Sequence, residues 1–205
     1  MEQNKTLFLV IKSDAEKYKT IILNTLIMLS NRIYVDKDGK KQPLLNFKEA
    51  INKIDDKGDN TVIIKADNGD LYAVKIVFQR ITSTGKQSII SDFFKDYAQY
   101  KKIIVAEGFN NKIADYMTRH RTQIFKESAL LSNLIDYRDQ PKFELLTPTE
   151  MGQFKQEYNS TYYTTKKMLK TDAIAKYYAL RRGEIIRIIR PSPTSGEAID
   201  YRVVL

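Results

Sequence analysis

The sequence contains no cysteine among its 205 residues. That excludes a disulfide framework, a thiol nucleophile and every cysteine-containing zinc site, and it fits an intracellular protein. Histidine occurs once, at His120, so no two-histidine metal site can form. A catalytic triad built on it has no assignable orienting carboxylate or nucleophile. The sequence Thr118-Arg119-His120-Arg121-Thr122 is basic, and the reading for His120 is a surface or helix-end residue. Long apolar runs are missing too. The longest, Ile21 to Leu29, spans nine residues and is broken by Asn24 and Thr25, against the roughly 20 needed to cross a membrane as a helix. The opening MEQNKTLFLVIKSD has acidic and amide groups where a secretory signal has a basic region, and no small-residue cleavage site follows it. A soluble, unprocessed chain with no membrane partner is expected.

What is present is enough to fold. With 42% hydrophobic and 11% aromatic residues, the chain can bury the core of one medium domain or two small ones. Its net charge is +9 with a pI near 9.4, and the excess is uneven. Between Lys166 and Arg190 eight bases face two acids, Asp172 and Glu184. Such a patch suits nucleic acid or an acidic protein surface, and charge alone does not choose between them.

Ser13-Asp14-Ala15-Glu16 has the form of a capping box, and Tyr18, Ile21, Ile22, Leu26 and Leu29 follow at helical spacing, predicting a helix to about Ser30. A shorter helix is predicted over Phe47 to Ile54. Thr61 to Ala66 and Leu71 to Phe78 read as strands, and the Asn68-Gly69 pair between them predicts a hairpin with a type I′ turn. Lys101 to Ala106 reads as a strand, Lys112 to Arg119 as a short helix and Thr122 to Lys126 as a strand. The polar Asp139-Gln140-Pro141-Lys142 marks the best boundary, giving units 1–140 and 141–205. In the second unit, Thr149 to about Tyr158 is helical with Thr147 or Thr149 as cap. Asp172 to Arg182 is a helix stopped by Gly183, with Arg181 and Arg182 in its last turn. Glu184 to Arg190 and Ile199 to Leu205 are strands joined by a Pro/Ser/Gly loop, and the alternation of Ile199, Tyr201, Val203 and Leu205 predicts one buried face. The fold class is α+β.

Short motifs for chemistry fail on spacing. Thr84-Gly85-Lys86-Gln87-Ser88 has Gln where a phosphate loop has Ser or Thr, and Arg80 where its first Gly belongs. Asp36-Lys37-Asp38-Gly39 lacks the third acid and distal Glu of a calcium loop, so it reads as a turn. Asp55-Asp56-Lys57 reads as a solvated loop rather than a nuclease site, which needs carboxylates converging from rigid elements. The 13 tyrosines interleave with bases, as in Tyr162 to Lys167 and Lys176-Tyr177-Tyr178. Both a base-stacking surface and half-buried interface tyrosines fit that pattern, and the second is the commoner.

From Met168 to Leu205 the chain resembles the C-terminal domain of a family of DNA-directed RNA polymerase subunits, whose members include a short archaeal form and the fifth subunit shared by the eukaryotic nuclear enzymes. Asp172, Ala175, Arg181, Arg182 and Gly183 take the places of the family's helix and turn. Ile185-Ile186-Arg187-Ile188-Ile189-Arg190 matches its strand, Pro191 to Gly196 its loop, and Tyr201-Arg202-Val203-Val204 its ending. Upstream, Pro141-Lys142 and Leu146-Thr147 to Glu150 also match. Phe143 replaces a family histidine, so any polar role of that side chain is lost, and Ala173 replaces the usual helix-opening Pro, which is a preference only. The first 140 residues match loosely, at Phe125, Glu127 and Leu130. Having such a domain resembles the eukaryotic form, where it belongs to the lower jaw over downstream DNA; the archaeal form lacks it. The divergence and length resemble the members carried by large DNA viruses that transcribe in the cytoplasm, African swine fever virus in particular.

The resemblance implies a non-catalytic, cofactor-free structural subunit, located in host cytoplasm and virion, with no small-molecule substrate. Its C-terminal unit would dock on the largest polymerase subunit through Arg182, Arg187, Arg190, Tyr201 and Arg202, with other polymerase subunits as further partners. Its N-terminal unit would lie near downstream duplex DNA, held weakly and without sequence preference by Lys101, Lys102, Arg119 and Arg121. The competing readings are a free-standing basic nucleic-acid-binding regulator and, more remotely, a degenerate nuclease.

Overall fold

A computed structural model describes residues 13–205 apart from positions 37, 53, 84, 86, 87, 89 and 138. The elements in chain order are α1 (Asp14–Asn31), β1 (Ile33–Val35), β2 (Lys41–Pro43), α2 (Phe47–Asn52), β3 (Asp55–Asp56), β4 (Thr61–Lys65), β5 (Leu71–Ile81), α3 (Ser91–Asp96), β6 (Lys101–Phe109), α4 (Asn111–Arg119), β7 (Thr122–Lys126) and α5 (Glu127–Leu131). There follow β8 (Lys142–Leu145), α6 (Pro148–Glu157), β9 (Lys166–Met168), α7 (Ala173–Tyr177), β10 (Ile185–Ser192) and β11 (Gly196–Val204). The α+β class expected from the sequence is the one observed. Among the described residues no helix is long and apolar enough to cross a membrane.

The first half is built on a five-stranded sheet ordered β3-β4-β5-β6-β7. Its β3-β4-β5 meander is antiparallel, while β6 and β7 add in parallel. The parallel additions need crossovers, which carry α3 and α4. Both faces of the central strands are therefore covered, which is why β5 and β6 are nearly continuous apolar runs rather than alternating ones. Val74, Ile76, Ile103 and Val105 pack with Ile21, Leu26, Met28 and Leu29 of α1. Ala73, Val77, Ile104 and Ala106 pack on the other side with Phe93 of α3 and Ile113 and Met117 of α4. Ser13 and Glu16 form the predicted capping box on α1.

The second half is a four-stranded sheet ordered β8-β10-β11-β9, with β9 parallel to β11 and the other pairs antiparallel. One face carries Ile186, Ile188 and Val204 against Ile174, Ala175 and Leu180 around α7. The other carries Ile185 and Val203 against Leu146 and Phe154 of the α6 segment. Thr147 rather than Thr149 caps α6, in a reciprocal capping box with Glu150. Asp172 caps α7 by accepting from the Ile174 N–H at 2.8 Å, with Ala173 as first helical residue, so the missing Pro costs no helix start.

Four sequence expectations are corrected. The Asn68-Gly69 hairpin exists, but only Gly69 has positive φ, and Gly69 N–H donates to the Ala66 carbonyl at 3.0 Å. This is a three-residue loop with a type I turn and a left-handed Gly, not a type I′ turn. The predicted helix Asp172 to Arg182 ends at Tyr177. Ala179, at φ +54, forms the left-handed stop, with Leu180 N–H donating to Ala175 and Ala179 N–H to Lys176. Those two bonds make a Schellman motif, so Arg181 and Arg182 lie beyond the helix and do not meet its dipole. The predicted alternation on the last strand fails as well: Val203 and Val204 are both buried, while Ile199 is 53% and Leu205 is 37% exposed. Val203 and Val204 each meet a different covered face, and the strand outgrows its cover toward Ile199. Finally, Asp55-Asp56 is an exposed edge strand paired with β4 rather than a loop.

Candidate partner-binding and nucleic-acid surfaces

The five C-terminal residues expected to act together do not converge. Directly paired residues of antiparallel strands share a face, and the register pairs Arg187 with Tyr201, Ile186 with Arg202 and Arg190 with Ala198. Arg187 and Tyr201 thus stand on the α6 face, Arg190 and Arg202 on the α7 face, and Arg182 in the turn before β10. Arg187 is taken up within the sheet: its Nε donates to Glu144 Oε2 at 2.9 Å and its Nη2 pairs with the same oxygen. The hydrogen bond from Lys142 holds the Glu144 carboxyl below its ordinary range, against burial and with help from Arg187. Tyr201 stacks on Phe154, with ring centroids 4.4 Å apart, and lies 5.6 Å from the Tyr158 ring. Arg202 Nε sits 3.6 Å from Asp200 Oδ2, an ion pair too long for a hydrogen bond. Arg182 and Arg190 are the members of this set exposed to solvent.

The four N-terminal bases divide in the same way. Lys102 is only 8% exposed, and its ammonium donates to the carbonyls of Tyr97, Ala98 and Tyr100, each at 3.2 Å. Burial lowers its pKa. The expectation that Lys102 faces DNA is therefore corrected: its charge closes the end of α3 from within. Lys101 pairs with Asp70 and lies 5.6 Å over the Tyr72 ring. Arg119 and Arg121 are exposed at the end of α4, where His120 serves as C-cap and its ring lies 4.3 Å from that of Tyr116. The helix-end reading of His120 holds.

No cluster of three metal-ligating side chains occurs among the described residues. Asp36 accepts from the Asp38 and Lys40 N–H groups, as a turn does. Of the Thr84 to Ser88 stretch, Thr84, Lys86 and Gln87 lie outside the described residues, and Ser88 N–H donates to Gly85 in a local turn.

Sequence reasoning missed β8, because the Pro and polar residues before it read as a linker, and missed the exposed apolar Tyr158 and Ile199. Between β8 and the β1-β2 hairpin lies a cleft of about 310 Å³ lined by Asn31, Ile33, Lys41, Phe143, Glu144, Leu145 and Tyr178.

Comparison with known proteins supplies what this geometry does not. A family model described as the C-terminal domain of RNA polymerase Rpb5 matches residues 132–204. The DNA-directed RNA polymerase subunit 5 of Acanthamoeba polyphaga mimivirus is 50% identical over 205 residues, the full length of both chains. Subunit RPABC1 of DNA-directed RNA polymerases I, II, and III from Caenorhabditis briggsae is 26% identical over 193 residues, 88% of this chain and 92% of that one. Its Dictyostelium discoideum counterpart is 30% identical over 131 residues, 64% of this chain and 55% of that one. The particular tie to African swine fever virus has no counterpart among these relatives.

Proposed function

The chain belongs to the fifth-subunit family of DNA-directed RNA polymerases, and on that premise we propose that it is a non-catalytic structural subunit of a viral polymerase. In this reading the unit 141–205 docks on the largest subunit, and the unit 1–140 lies in the lower jaw beside downstream duplex DNA. The enzyme works in the host cytoplasm and is carried in the virion. The observation that carries the reading is the 50% identity, over the full length of both chains, with a viral subunit 5.

The geometry sharpens it. Of the five residues expected to dock, Arg182 and Arg190 are the ones open to a partner, while Arg187, Tyr201 and Arg202 hold the docking unit in shape. Beside DNA, Arg119 and Arg121 supply the charge. Two such cations give weak, salt-sensitive attraction without base readout. Lysine-directed cross-linking of the assembled polymerase tests the placement. Lys142 and Lys166 should cross-link to the largest subunit, and links from both to other subunits alone would overturn it.

A further inference from the structure

Among the described residues the main chain of β8 is paired on one side only, with β10, and the ladder fixes which groups face out. Leu146 N–H donates to the Ile185 carbonyl at 3.0 Å, and β8 and β10 pair Leu145 with Ile186, Glu144 with Arg187 and Phe143 with Ile188. In an antiparallel pair the hydrogen-bonded positions alternate, so Glu144 and Lys142 turn their N–H and C=O groups to β10. Phe143 and Leu145 turn theirs away from it. The opposite edge of β10 agrees independently: Val204 N–H donates to Glu184, which puts the even-numbered residues of β10 against β11 and the odd-numbered ones against β8.

The outward groups open on the cleft beside β8. Its lining is apolar at Ile33, Phe143, Leu145 and Tyr178 and polar at Asn31, Lys41 and Glu144. Its Phe143 and Tyr178 rings are 6.1 Å apart, and Lys41 is anchored to Glu150 at 2.7 Å. A free edge with its own side-chain cleft is the arrangement used for strand addition: the main-chain groups give affinity and the cleft selects alternate side chains.

We propose that β8 is a strand-addition site, in which an extended segment of a neighbouring polymerase subunit pairs with the outward N–H and C=O groups of Phe143 and Leu145 and places an apolar side chain in the cleft. The identity of the assembly rests on the subunit reading above; the strand chemistry rests on the ladder. Strand chemistry is what the edge asks for, because unpaired main-chain donors and acceptors are satisfied in series only by another extended chain.

Hydrogen exchange with residue resolution tests it on the whole chain, free and in the assembled polymerase. The amides of Phe143 and Leu145 should exchange rapidly in the free protein and slow by about 100-fold or more on assembly, while the amide of Glu144 is protected in both states. Identical exchange of Phe143 and Leu145 in the two states overturns the proposal, whether both are fast or an intramolecular contact already slows both. A second variant supports the reading. Leu145→Pro deletes one outward donor without touching the β10 ladder, and should weaken retention in the polymerase about tenfold relative to Leu145→Val. Equal retention of the two counts against strand addition. A chain that enters no polymerase at all overturns the subunit reading, and this proposal with it, and is told apart by the missing assembly.

Discussion

Arg32 Nε donates to the main-chain carbonyl of Tyr177 at 2.7 Å, tying the end of α1 to the end of α7 and so the first sheet system to the second. Its Nη2 reaches the Lys176 carbonyl at 3.3 Å, Asn31 Nδ2 donates to the Tyr177 hydroxyl at 3.0 Å, and the Tyr177 ring packs in the α1 core. Arg32 is 4% exposed, and burial pushes its pKa down to about 10. A buried cation that caps two carbonyls is costly to bury but costlier to delete, because deletion strands the acceptors. Arg32→Ala should lower stability by about 2–4 kcal/mol. Arg32→Met should lose less, since it keeps the volume and removes the charge. Urea unfolding of the purified protein checks both; equal, negligible losses would mean the tie between the halves lies elsewhere.

Ala179 sits at φ +54 in the stop of α7. A left-handed conformation costs a residue with a Cβ about 1–2 kcal/mol and Gly nothing. Ala179→Gly should therefore raise the unfolding midpoint, by about 0.5–1 kcal/mol after the entropy of the freer unfolded chain is subtracted. A thermal or urea midpoint that falls would contradict the Schellman geometry.

The separate duties of Lys102 and its neighbours predict a split between stability and DNA attraction. Lys102→Ala should cost about 1–3 kcal/mol of stability, because the Tyr97, Ala98 and Tyr100 carbonyls lose their donor. It should leave the salt dependence of DNA binding unchanged. Arg119→Ala with Arg121→Ala should do the reverse, flattening the salt slope by about 1.8. Titrating the intact protein with duplex DNA at several salt concentrations, beside urea melts, reads both.

Several carboxylates are held below their ordinary range. Glu144 is lowered first by the Lys142 hydrogen bond and then by Arg187. In Glu150 and Asp200 burial pushes upward but is outweighed, by Lys41 and the Thr147 cap in one and by Lys166 in the other. A carboxyl with a depressed folded pKa adds stability that is complete above its unfolded value and disappears as pH falls through the folded value. Stability should thus be flat above about pH 5 and decline below pH 4.5, the ordinary value of the two glutamates. Glu144→Gln should shallow that decline. An acid limb identical in wild type and variant would show that the Glu144 pairs do not matter in solution.

Much of this was legible in the residues because local rules and tertiary packing agree. Ser13 with Glu16 fixed where α1 starts, and the apolar runs at Leu71 and Lys101 marked the central strands. The rest was hidden for physical reasons. Four-residue β8 and three-residue β9 are too short to show a period, and β8 follows a Pro that reads as a break. The stop of α7 uses Ala179 in a conformation that favours Gly, so the chain gives no glycine signal there. Which of Lys101 and Lys102 is buried depends on the turn after α3, whose Tyr97, Ala98 and Tyr100 carbonyls hold Lys102, and the α3 sequence that leads into it, Ser91 to Asp96, carries only a weak helical pattern. The split of Arg187 and Tyr201 from Arg190 and Arg202 follows from the two-residue period of a strand, which can be read once the pairing is known.

Affinity purification of the tagged chain from infected cells, followed by sizing and mass spectrometry, tests the central claim most directly. Subunit membership predicts elution in a complex many times larger than the 23.8 kDa chain, together with the two largest polymerase subunits at equal stoichiometry. Elution alone near 23.8 kDa, free of polymerase subunits, would contradict it and bring a free-standing nucleic-acid-binding regulator to the fore.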